Sequence, residues 1–276
     1  MPELPEVEYV VRSLNKMVSG QQLIKAKLLR ERLAPVTTPA RFSKLLSGSA
    51  IITIRRRGKF ILFELDRGYS LMVHLRMSGR FLLLSRDTPE VKFTHAAFDL
   101  SSGRRLIFQD QRHFGLMKVV RTDHVAQDPS IVDLAPEPFS DGFSPDYLYR
   151  TLRLSRRGVK ELIIDQSRVC GLGNIYASEA LFRAGINPMR QARNVSLARA
   201  KRLHQCVIEI LKEAIERFED IEPHPIVIGE GVYGNGTSEN WSVYDRENLP
   251  CSICRQAIRR IRQGGRSTYY CPKCQR

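Results

Sequence analysis

The sequence is short of acidic residues and of long apolar runs. It carries 29 Asp and Glu against 44 Lys and Arg in 276 residues, a formal net charge of +15. This surplus predicts a polyanionic partner, either nucleic acid or an acidic membrane surface. No apolar run approaches the ~20 residues of a membrane span, and the acidic, Pro-rich start is unlike a secretory signal. We therefore expect a cytoplasmic protein without a signal peptide and favour nucleic acid as its partner.

Cysteine is also scarce, and four of the six cysteines lie near the C-terminus. Cys251 and Cys254 form one C-x2-C pair, and Cys271 and Cys274 form another. This spacing is typical of a tetrahedral zinc site in which each pair supplies two thiolates. Two disulfides are the alternative, which an intracellular location disfavours. Because β-patterned residues flank Gln263-Gly264-Gly265, we predict a β-hairpin closed by one structural Zn²⁺.

The pattern of apolar residues changes halfway along the chain. Short β-patterned runs occupy residues 22–29, 50–55, 60–65, 70–75, 80–84, 94–100, 105–109 and 116–121. They follow an amphipathic first helix and predict an antiparallel sandwich or barrel. Helical periods follow at 146–154, 159–166, 175–183 and 197–219, the last with Ser196 as its N-cap and Cys206 on its buried face. The fold class is therefore α+β.

Turn-forming residues and the change of period divide the chain into segments. We predict a β-sandwich domain at 1–130, a Pro-rich linker at 131–145, a helical domain at 146–240 and the zinc hairpin at 241–276. Within the helical domain, residues 223–240 are rich in Gly and Pro and predict a loop.

The first residues support two interpretations. Removal of Met1 would give Pro2 a free secondary amine, and an unperturbed α-amine has a pKa of about 7.7–8.0. Such an amine is partly unprotonated near neutral pH and forms a covalent iminium with an aldehyde-like carbon. Alternatively, proline followed by Glu3 and Glu6 in the first turn is ordinary chemistry for the start of a helix. These residues alone do not decide between the two.

Several motifs follow one another along the chain. They are Pro2-Glu3-Leu4-Pro5-Glu6, Arg57-Gly58-Lys59-Phe60, His74-Leu75-Arg76-Met77-Ser78-Gly79, Asp110-Gln111-Arg112-His113-Phe114-Gly115, Gly171-Leu172-Gly173-Asn174-Ile175-Tyr176-Ala177-Ser178-Glu179 and Gly265-Arg266-Ser267. Over nearly the whole chain, this set resembles the bacterial formamidopyrimidine-DNA glycosylases, base-excision repair enzymes for oxidised purines. The resemblance implies two domains: an N-terminal helix with an antiparallel β-sandwich, and a helix-two-turn-helix domain with a four-cysteine zinc β-hairpin.

The resemblance also implies a role for individual residues. Pro2 would be the nucleophile that attacks the deoxyribose C1′, Glu3 the acid that assists ring opening, and Glu6 a support for the amine. Lys59 would transfer protons in β-elimination. Arg266 would hold the lesion phosphate and assist δ-elimination. The implied outcome is base removal followed by cleavage on both sides of the sugar.

A second group of residues is implied to bind damaged double-stranded DNA. The enzyme must extrude a stacked base to reach it, and Met77, Arg112 and Phe114 resemble the family's wedge, which fills the gap. Lone apolar residues usually pack in a core, but the turn-like settings of Met77 and Phe114 favour exposure. Backbone phosphates would be held by Asn174, Lys160 and His74, although Lys160 by itself would also suit a solvated helix face. We expect a monomer that acts on nucleoid DNA, without a membrane or a small-molecule cofactor.

Three departures from the family pattern bear on specificity. Phe93 stands where many members have the first histidine of His-Asp-His, and Ser155 stands where a basic residue is common. Residues 221–241 lack the Gly-Gly-Thr-Thr of the loop that covers the extruded base. The chemistry should survive these changes, and lesion preference is what they affect.

Three other functions stay open on the sequence. The nearest is a sister glycosylase that prefers oxidised pyrimidines. A non-catalytic DNA-damage binder on the same fold is another, although the presence of Pro2, Glu3 and Lys59 disfavours it. A zinc-ribbon nucleic-acid adaptor without chemistry would leave the acidic N-terminus unexplained.

Overall fold

The computed structural model describes residues 1–229 and 241–276, which form two compact units. The first contains Met1–Val132 and the chain from Phe218 to residue 229, and the second contains Asp133–Arg217 and residues 241–276. The sequence places residues 218–229 in the helical domain, whereas in the structure they pack with the first unit. Phe218 contacts Tyr9 edge to face at 6.1 Å, and Glu219 pairs with Arg12 at 2.8 Å.

The first unit is a sandwich of two antiparallel sheets with helices against it, as predicted. Its helices are α1 (Leu4–Val18) and α2 (Pro39–Leu46), and its strands are β1 (Leu23–Leu28), β2 (Ile51–Arg57), β3 (Phe60–Leu65), β4 (Tyr69–His74), β5 (Arg80–Ser85), β6 (Thr94–Leu100), β7 (Arg104–Gln109), β8 (Leu116–Arg121) and β9 (Val227–Ile228). One sheet has the order β1-β6-β7-β5-β9 and the other β2-β3-β4-β8. Short 3-10 helices span Glu31–Leu33 and Thr122–Gln127.

A single apolar core joins the two sheets to α1. Phe81 lies between Phe63 and Phe108, with ring centroids 5.7 and 5.3 Å away. Helix α1 is further fixed to β2 because the Asn15 side-chain amide bonds both backbone groups of Ile54, at 2.6 and 3.0 Å. The first turn of α1, which carries the N-terminal acids, therefore rests on a rigid sheet.

Two elements of this unit are absent from the sequence prediction. Helix α2 begins after Thr38, whose hydroxyl accepts a hydrogen bond from the N–H of Arg41 at 3.3 Å. Strand β9 lies within the loop predicted for 223–240, so that prediction is wrong at Val227 and Ile228. A two-residue strand shows no alternation, and β9 forms only because β5 offers it a free edge. The remainder of that loop, residues 230–240, lies outside the described residues.

The second unit is helical and ends in the zinc-type hairpin. Its elements are α3 (Pro145–Arg153), α4 (Val159–Ile163), α5 (Asn174–Ala184), a 3-10 turn (Ala192–Asn194), α6 (Leu197–Glu219, whose last residues belong to the first unit), β10 (Arg259–Gln263) and β11 (Arg266–Tyr270). Helix α6 has the predicted bounds, and the hydroxyl of Ser196 accepts from the N–H of Arg199 at 3.4 Å. Cys206 is buried as predicted, and burial raises the pKa of its thiol.

Two boundaries in the second unit differ from the prediction. Helix α4 ends at Ile163 instead of residue 166, because the Gln166 amide bonds the carbonyls of Ile164 and Leu172 and turns the chain. In the hairpin, Gln263 is the last residue of β10 and only Gly264 and Gly265 form the turn. Both glycines have positive φ, 54° and 76°, as a two-residue hairpin turn of this hand requires.

Within residues 1–229 and 241–276, no helix is both long enough and apolar enough to cross a membrane.

Candidate functional site

The N-terminal acids occupy the start of α1. Glu3 immediately precedes the helix, and its N–H donates to Oε2 of Glu6 at 2.7 Å. Pro2, Glu3 and Glu6 are all buried, whereas Met1 is half exposed. The two acids therefore lie beside the residue that becomes the N-terminus once Met1 is removed. These residues do start a helix, as one of the two interpretations of the sequence predicts. That position is also compatible with the other interpretation, in which the Pro2 amine is a nucleophile.

Lys59 and His74 are neighbours at one end of the second sheet. Lys59 is buried and lies with Gly58 in the tight turn between β2 and β3. His74 pairs in register with Phe60, and the two rings meet edge to face at 4.8 Å. Burial, together with the charges of Arg76 and Lys59, lowers the pKa of His74 to about 3. Its Nδ1 accepts from the N–H of Arg76 at 3.0 Å, so the neutral ring has its proton on Nε2, as a hydrogen-bond donor.

The predicted wedge residues lie on two neighbouring loops. Met77 and Phe114 are 47% and 46% exposed, which excludes the core-packing alternative for both. The Arg112 guanidinium lies 5.2 Å from the centre of the Phe114 ring. Both loops are packed tightly against β7: a Cβ added at Gly79 or Gly115 would come within 2.6 or 2.7 Å of the Phe108 ring.

Asp110 joins these loops, a role that the sequence did not reveal. One carboxylate oxygen accepts from the Ser78 hydroxyl and from the N–H of Arg112, and the other accepts from the N–H of Gly115 at 2.7 Å. Burial opposes its charge, but these hydrogen bonds prevail and lower its pKa. The only signal in the sequence was the position of this acid at the head of the Asp-Gln-Arg-His-Phe-Gly motif.

Phe93, which stands in place of one expected histidine, belongs to an aromatic cluster with His95 and His113. Phe93 is nearly half exposed and meets His113 at 6.1 Å, and His113 packs on His95 at 4.8 Å. Phe93 and His113 both have positive φ, 64° and 58°. Burial and the neighbouring His113 lower the pKa of His95. His113 lies between Arg112 and Phe114 in the chain, so these ring contacts join the wedge loop to Phe93 and His95.

The second unit brings the remaining predicted phosphate ligands together at the hairpin. The Lys160 ammonium donates to the Thr268 hydroxyl at 2.9 Å and to the Ser267 carbonyl at 3.2 Å. The Asn174 amide donates to the same carbonyl at 3.0 Å. Arg266, the preceding residue, is exposed. Lys160 is only 1% exposed, so the solvated-face alternative is excluded.

The four cysteines fit a tetrahedral metal site. Their sulfur atoms all lie within 4.8 Å of one another, and none forms a disulfide. Separations of 3.5 Å (Cys254–Cys271) and 3.9 Å (Cys251–Cys274) match the ~3.8 Å expected for sulfurs about 2.3 Å from one zinc ion. The backbone N–H of Gln256 lowers the pKa of Cys254 to about 7, whereas burial raises the pKa of Cys271 and Cys274. Four thiolates this close together would repel one another, so a cation is needed to keep all four deprotonated.

Glu179 is a second functional acid whose role the sequence did not reveal. Its buried carboxylate accepts three backbone N–H groups, from Ser242, Val243 and Tyr244, at 2.8–2.9 Å. These residues lead into the hairpin, and Val243 packs in its core with Phe182 of α5. Glu179 thus fixes the entrance of the metal-binding segment to α5.

Three domain families match the chain. Residues 1–117 match the formamidopyrimidine-DNA glycosylase N-terminal domain, and residues 134–222 match the formamidopyrimidine-DNA glycosylase H2TH domain. Residues 248–276 match a zinc finger found in FPG and IleRS. With the sulfur geometry above, the last match shows that the four cysteines hold one structural zinc ion.

Similarity to known proteins extends over the full length. The chain is 40% identical over 281 residues to the formamidopyrimidine-DNA glycosylase of Desulforamulus reducens, covering 100% of this chain and 99% of that one. Its identity to the protein of the same name from Dinoroseobacter shibae is 39% over 289 residues, covering both completely. Among solved structures, the Lactococcus lactis Fpg with abasic-site DNA is similar with a TM-score of 0.89, at 33% identity over 99% of each chain. MutM in complex with DNA containing carbocyclic 8-oxo-G is similar at 0.89 and 35% identity, over 100% of each chain.

Removal of the metal should release the hairpin and leave the first unit folded. We expect one zinc per chain, and Co²⁺ substitution should give the absorption of a tetrahedral tetrathiolate site. A chelator should make residues 248–276 sensitive to protease, because metal binding and folding are coupled in such segments. Elemental analysis and mass spectrometry of the digest measure both effects. Equal protease resistance with and without metal would contradict this assignment.

Acid should weaken the first unit partly through His74. The unfolded imidazole gains a proton below pH ~6.5, whereas the folded one stays neutral until pH falls to about 3. Stability is therefore lost as the pH falls between these values, by about 2–3 kcal/mol at pH ~4.5. Hydrogen exchange of β3 and β4 amides should show this loss, and His74→Gln should reduce it by that amount. An equal acid sensitivity in the variant would refute the assignment.

Proposed function

The chain belongs to the formamidopyrimidine-DNA glycosylase family, and from this premise we propose that it removes oxidised purines from duplex DNA and then cleaves the resulting abasic strand. Membership makes it a DNA glycosylase of base-excision repair. The proposed substrates are 8-oxoguanine and formamidopyrimidines. The observation that carries the proposal is the buried Pro2 with Glu3 and Glu6 at the head of α1.

The proposed chemistry starts at the nitrogen of Pro2. After Met1 is removed, the amine attacks C1′, the bond from C1′ to the base breaks, and an iminium forms as the sugar ring opens. Glu3 delivers a proton to the ring oxygen, and Glu6 holds the first turn through the N–H of Glu3. Lys59 then transfers protons in β-elimination, which releases the 3′ phosphate. Arg266 holds the lesion phosphate and assists the δ-elimination that releases the 5′ phosphate.

The wedge gives this chemistry access to a stacked base. Met77 and Phe114 present apolar side chains to solvent, and the Arg112 guanidinium lies 5.2 Å from the centre of the Phe114 ring. Inserting apolar groups into the stack costs a few kcal/mol and is offset by contacts with the opened duplex. The proposed role of Arg112 is to contact the base left without its partner.

Phosphate binding is proposed for residues of both units. His74 offers a neutral N–H donor, and Asn174 and Lys160 both donate to the carbonyl of Ser267, the residue after Arg266. DNA is the partner in the similar solved complexes, and the net charge of +15 suits it. We further propose that the protein acts as a monomer on nucleoid DNA, without a small-molecule cofactor.

Borohydride trapping on an abasic-site duplex tests the covalent step. We expect a stable protein–DNA adduct from chain that has lost Met1, and none from chain that retains it, because an amide nitrogen cannot attack. Pro2→Gly keeps an N-terminal amine and should form adduct at least about tenfold more slowly, ~1.4 kcal/mol in the barrier. Absence of any adduct from processed protein would favour the non-catalytic damage binder instead.

Asp110→Asn tests the wedge independently of the chemistry. In the variant, a side-chain NH₂ donor takes the place of one carboxylate oxygen and faces backbone N–H groups, which are also donors. Loss of charge-assisted hydrogen bonds costs ~1.5–3 kcal/mol. Excision of a paired 8-oxoguanine should fall at least about tenfold, whereas cleavage of an abasic site in single-stranded DNA should change little. Ser78→Ala, which removes one partner and no charge, is the milder control. Equal losses on both substrates would contradict a role in parting the stack.

A further inference from the structure

We propose that Gln263 and Thr268 position Arg266 by fixing the two strands of the zinc hairpin on either side of its turn. The proposal rests on the function proposed for Arg266 above. It assigns neither residue a contact with DNA. Each acts on the backbone from which the Arg266 side chain extends.

The turn itself places Arg266 between the two contacts. Gln263 and Arg266 are directly paired across the hairpin, and only Gly264 and Gly265 separate them. Both glycines have left-handed backbone conformations, so the turn is short and has no side chain of its own. Movement of either strand end is therefore passed directly to Arg266.

Gln263 fixes the end of the first strand. Its Nε2 donates to the Pro188 carbonyl at 3.1 Å, in the segment that follows α5. Gly158 leaves the space for this contact, because a Cβ there would lie 2.3 Å from the same Nε2. The backbone N–H of Lys160 shares the Pro188 carbonyl at 3.3 Å. The side chain of Gln263 is thus enclosed where α4 begins.

Thr268 fixes the middle of the second strand, two residues after Arg266. It is fully buried, and its hydroxyl accepts from the Lys160 ammonium at 2.9 Å. The carbonyl of Ser267 receives a second bond from Lys160 and one from Asn174. A buried ammonium costs several kcal/mol unless oxygen atoms surround it, so Lys160 holds this strand firmly.

The consequence is an exposed arginine on an immobile backbone. Arg266 loses less conformational freedom on binding a phosphate when its backbone is already fixed. Stabilisation of a developing charge likewise requires a preorganised cation. Loosening either contact should weaken phosphate binding and the assistance of δ-elimination by Arg266. The chemistry proposed for Pro2, which lies in the other unit, should not change.

Gln263→Glu is the sharpest variant, because it keeps the shape, loses the donor and adds a negative charge that faces the Pro188 carbonyl. Thr268→Val similarly keeps the shape and loses the acceptor. Ser267→Ala is the matched control, since the contact uses the carbonyl of Ser267, whereas its hydroxyl accepts from Arg260 at 3.1 Å near the surface. All three are prepared as full-length, zinc-loaded protein, with zinc content measured for each.

Trypsin gives a readout that is independent of DNA. Cleavage at the Arg266–Ser267 bond, identified by mass spectrometry, follows the population of the opened hairpin. We expect Gln263→Glu and Thr268→Val to be cut about fivefold faster than wild type, the effect of one net hydrogen bond of ~1 kcal/mol. The control should match wild type. Unchanged cleavage in Gln263→Glu would overturn the proposal.

The products from an abasic-site duplex give the functional readout. We expect δ-elimination to slow about fivefold in both variants while β-elimination keeps its rate, with Arg266→Ala as the reference for full loss. If Arg266→Ala shifts the products and Gln263→Glu does not, the contacts are only structural and the proposal fails. If Arg266→Ala shifts nothing, the role proposed for Arg266 in δ-elimination fails, and the cleavage rates alone decide whether the contacts hold the hairpin.

Discussion

Four described segments that carry or adjoin the proposed site residues are each held by one buried polar or charged side chain that bonds backbone groups. Glu6 accepts from the N–H of Glu3, Asp110 accepts from the wedge loop, Glu179 accepts from three N–H groups before the hairpin, and Lys160 donates to the hairpin strand. Loop backbone lacks the ladder partners that strands and helices supply, and an unpaired buried group is costly. A charged side chain satisfies several such groups at once and with stronger bonds. The side chains on these loops can therefore be exposed to solvent while the loop backbone stays fixed.

This arrangement separates two uses of charge. The surplus of 15 positive charges is spread over the sequence and suits a polyanion at long range. The buried charges act over one hydrogen-bond length, and burial opposes each of them, so they persist only where partners are complete. Asp110 illustrates the balance, because its hydrogen bonds outweigh burial and lower its pKa. His74 illustrates the opposite outcome: with cations nearby and a single backbone partner, burial prevails and the ring stays neutral.

The sequence predicts the regular elements well where a period repeats over several residues. The eight predicted strands of the sandwich and the long helix α6 all lie close to their predicted ranges, because burial of one face imposes a pattern that the sequence displays. Helix α2 was not predicted. Two shorter features were also missed: β9 forms only when the edge of β5 is present, and α4 ends where Gln166 bonds the carbonyl of Leu172. Both outcomes depend on residues distant in the chain or on side-chain geometry, neither of which a local pattern contains.

At the proposed site, prediction from sequence fails for a different reason, namely that burial there does not follow residue type. Apolar residues are normally buried, yet Met77 and Phe114 are exposed, and cations are normally solvated, yet Lys160 is almost fully buried. Composition and periodicity misjudge all three. The motifs along the chain single out Met77 and Phe114, and the overall family resemblance suggests Lys160. The motifs do not show which residues hold the others in place, because that depends on which loops meet after folding. Asp110 was visible as part of a motif, but its contact with Ser78 joins positions 32 residues apart. Motifs therefore single out the residues proposed for function, while the three-dimensional structure identifies those that fix their geometry.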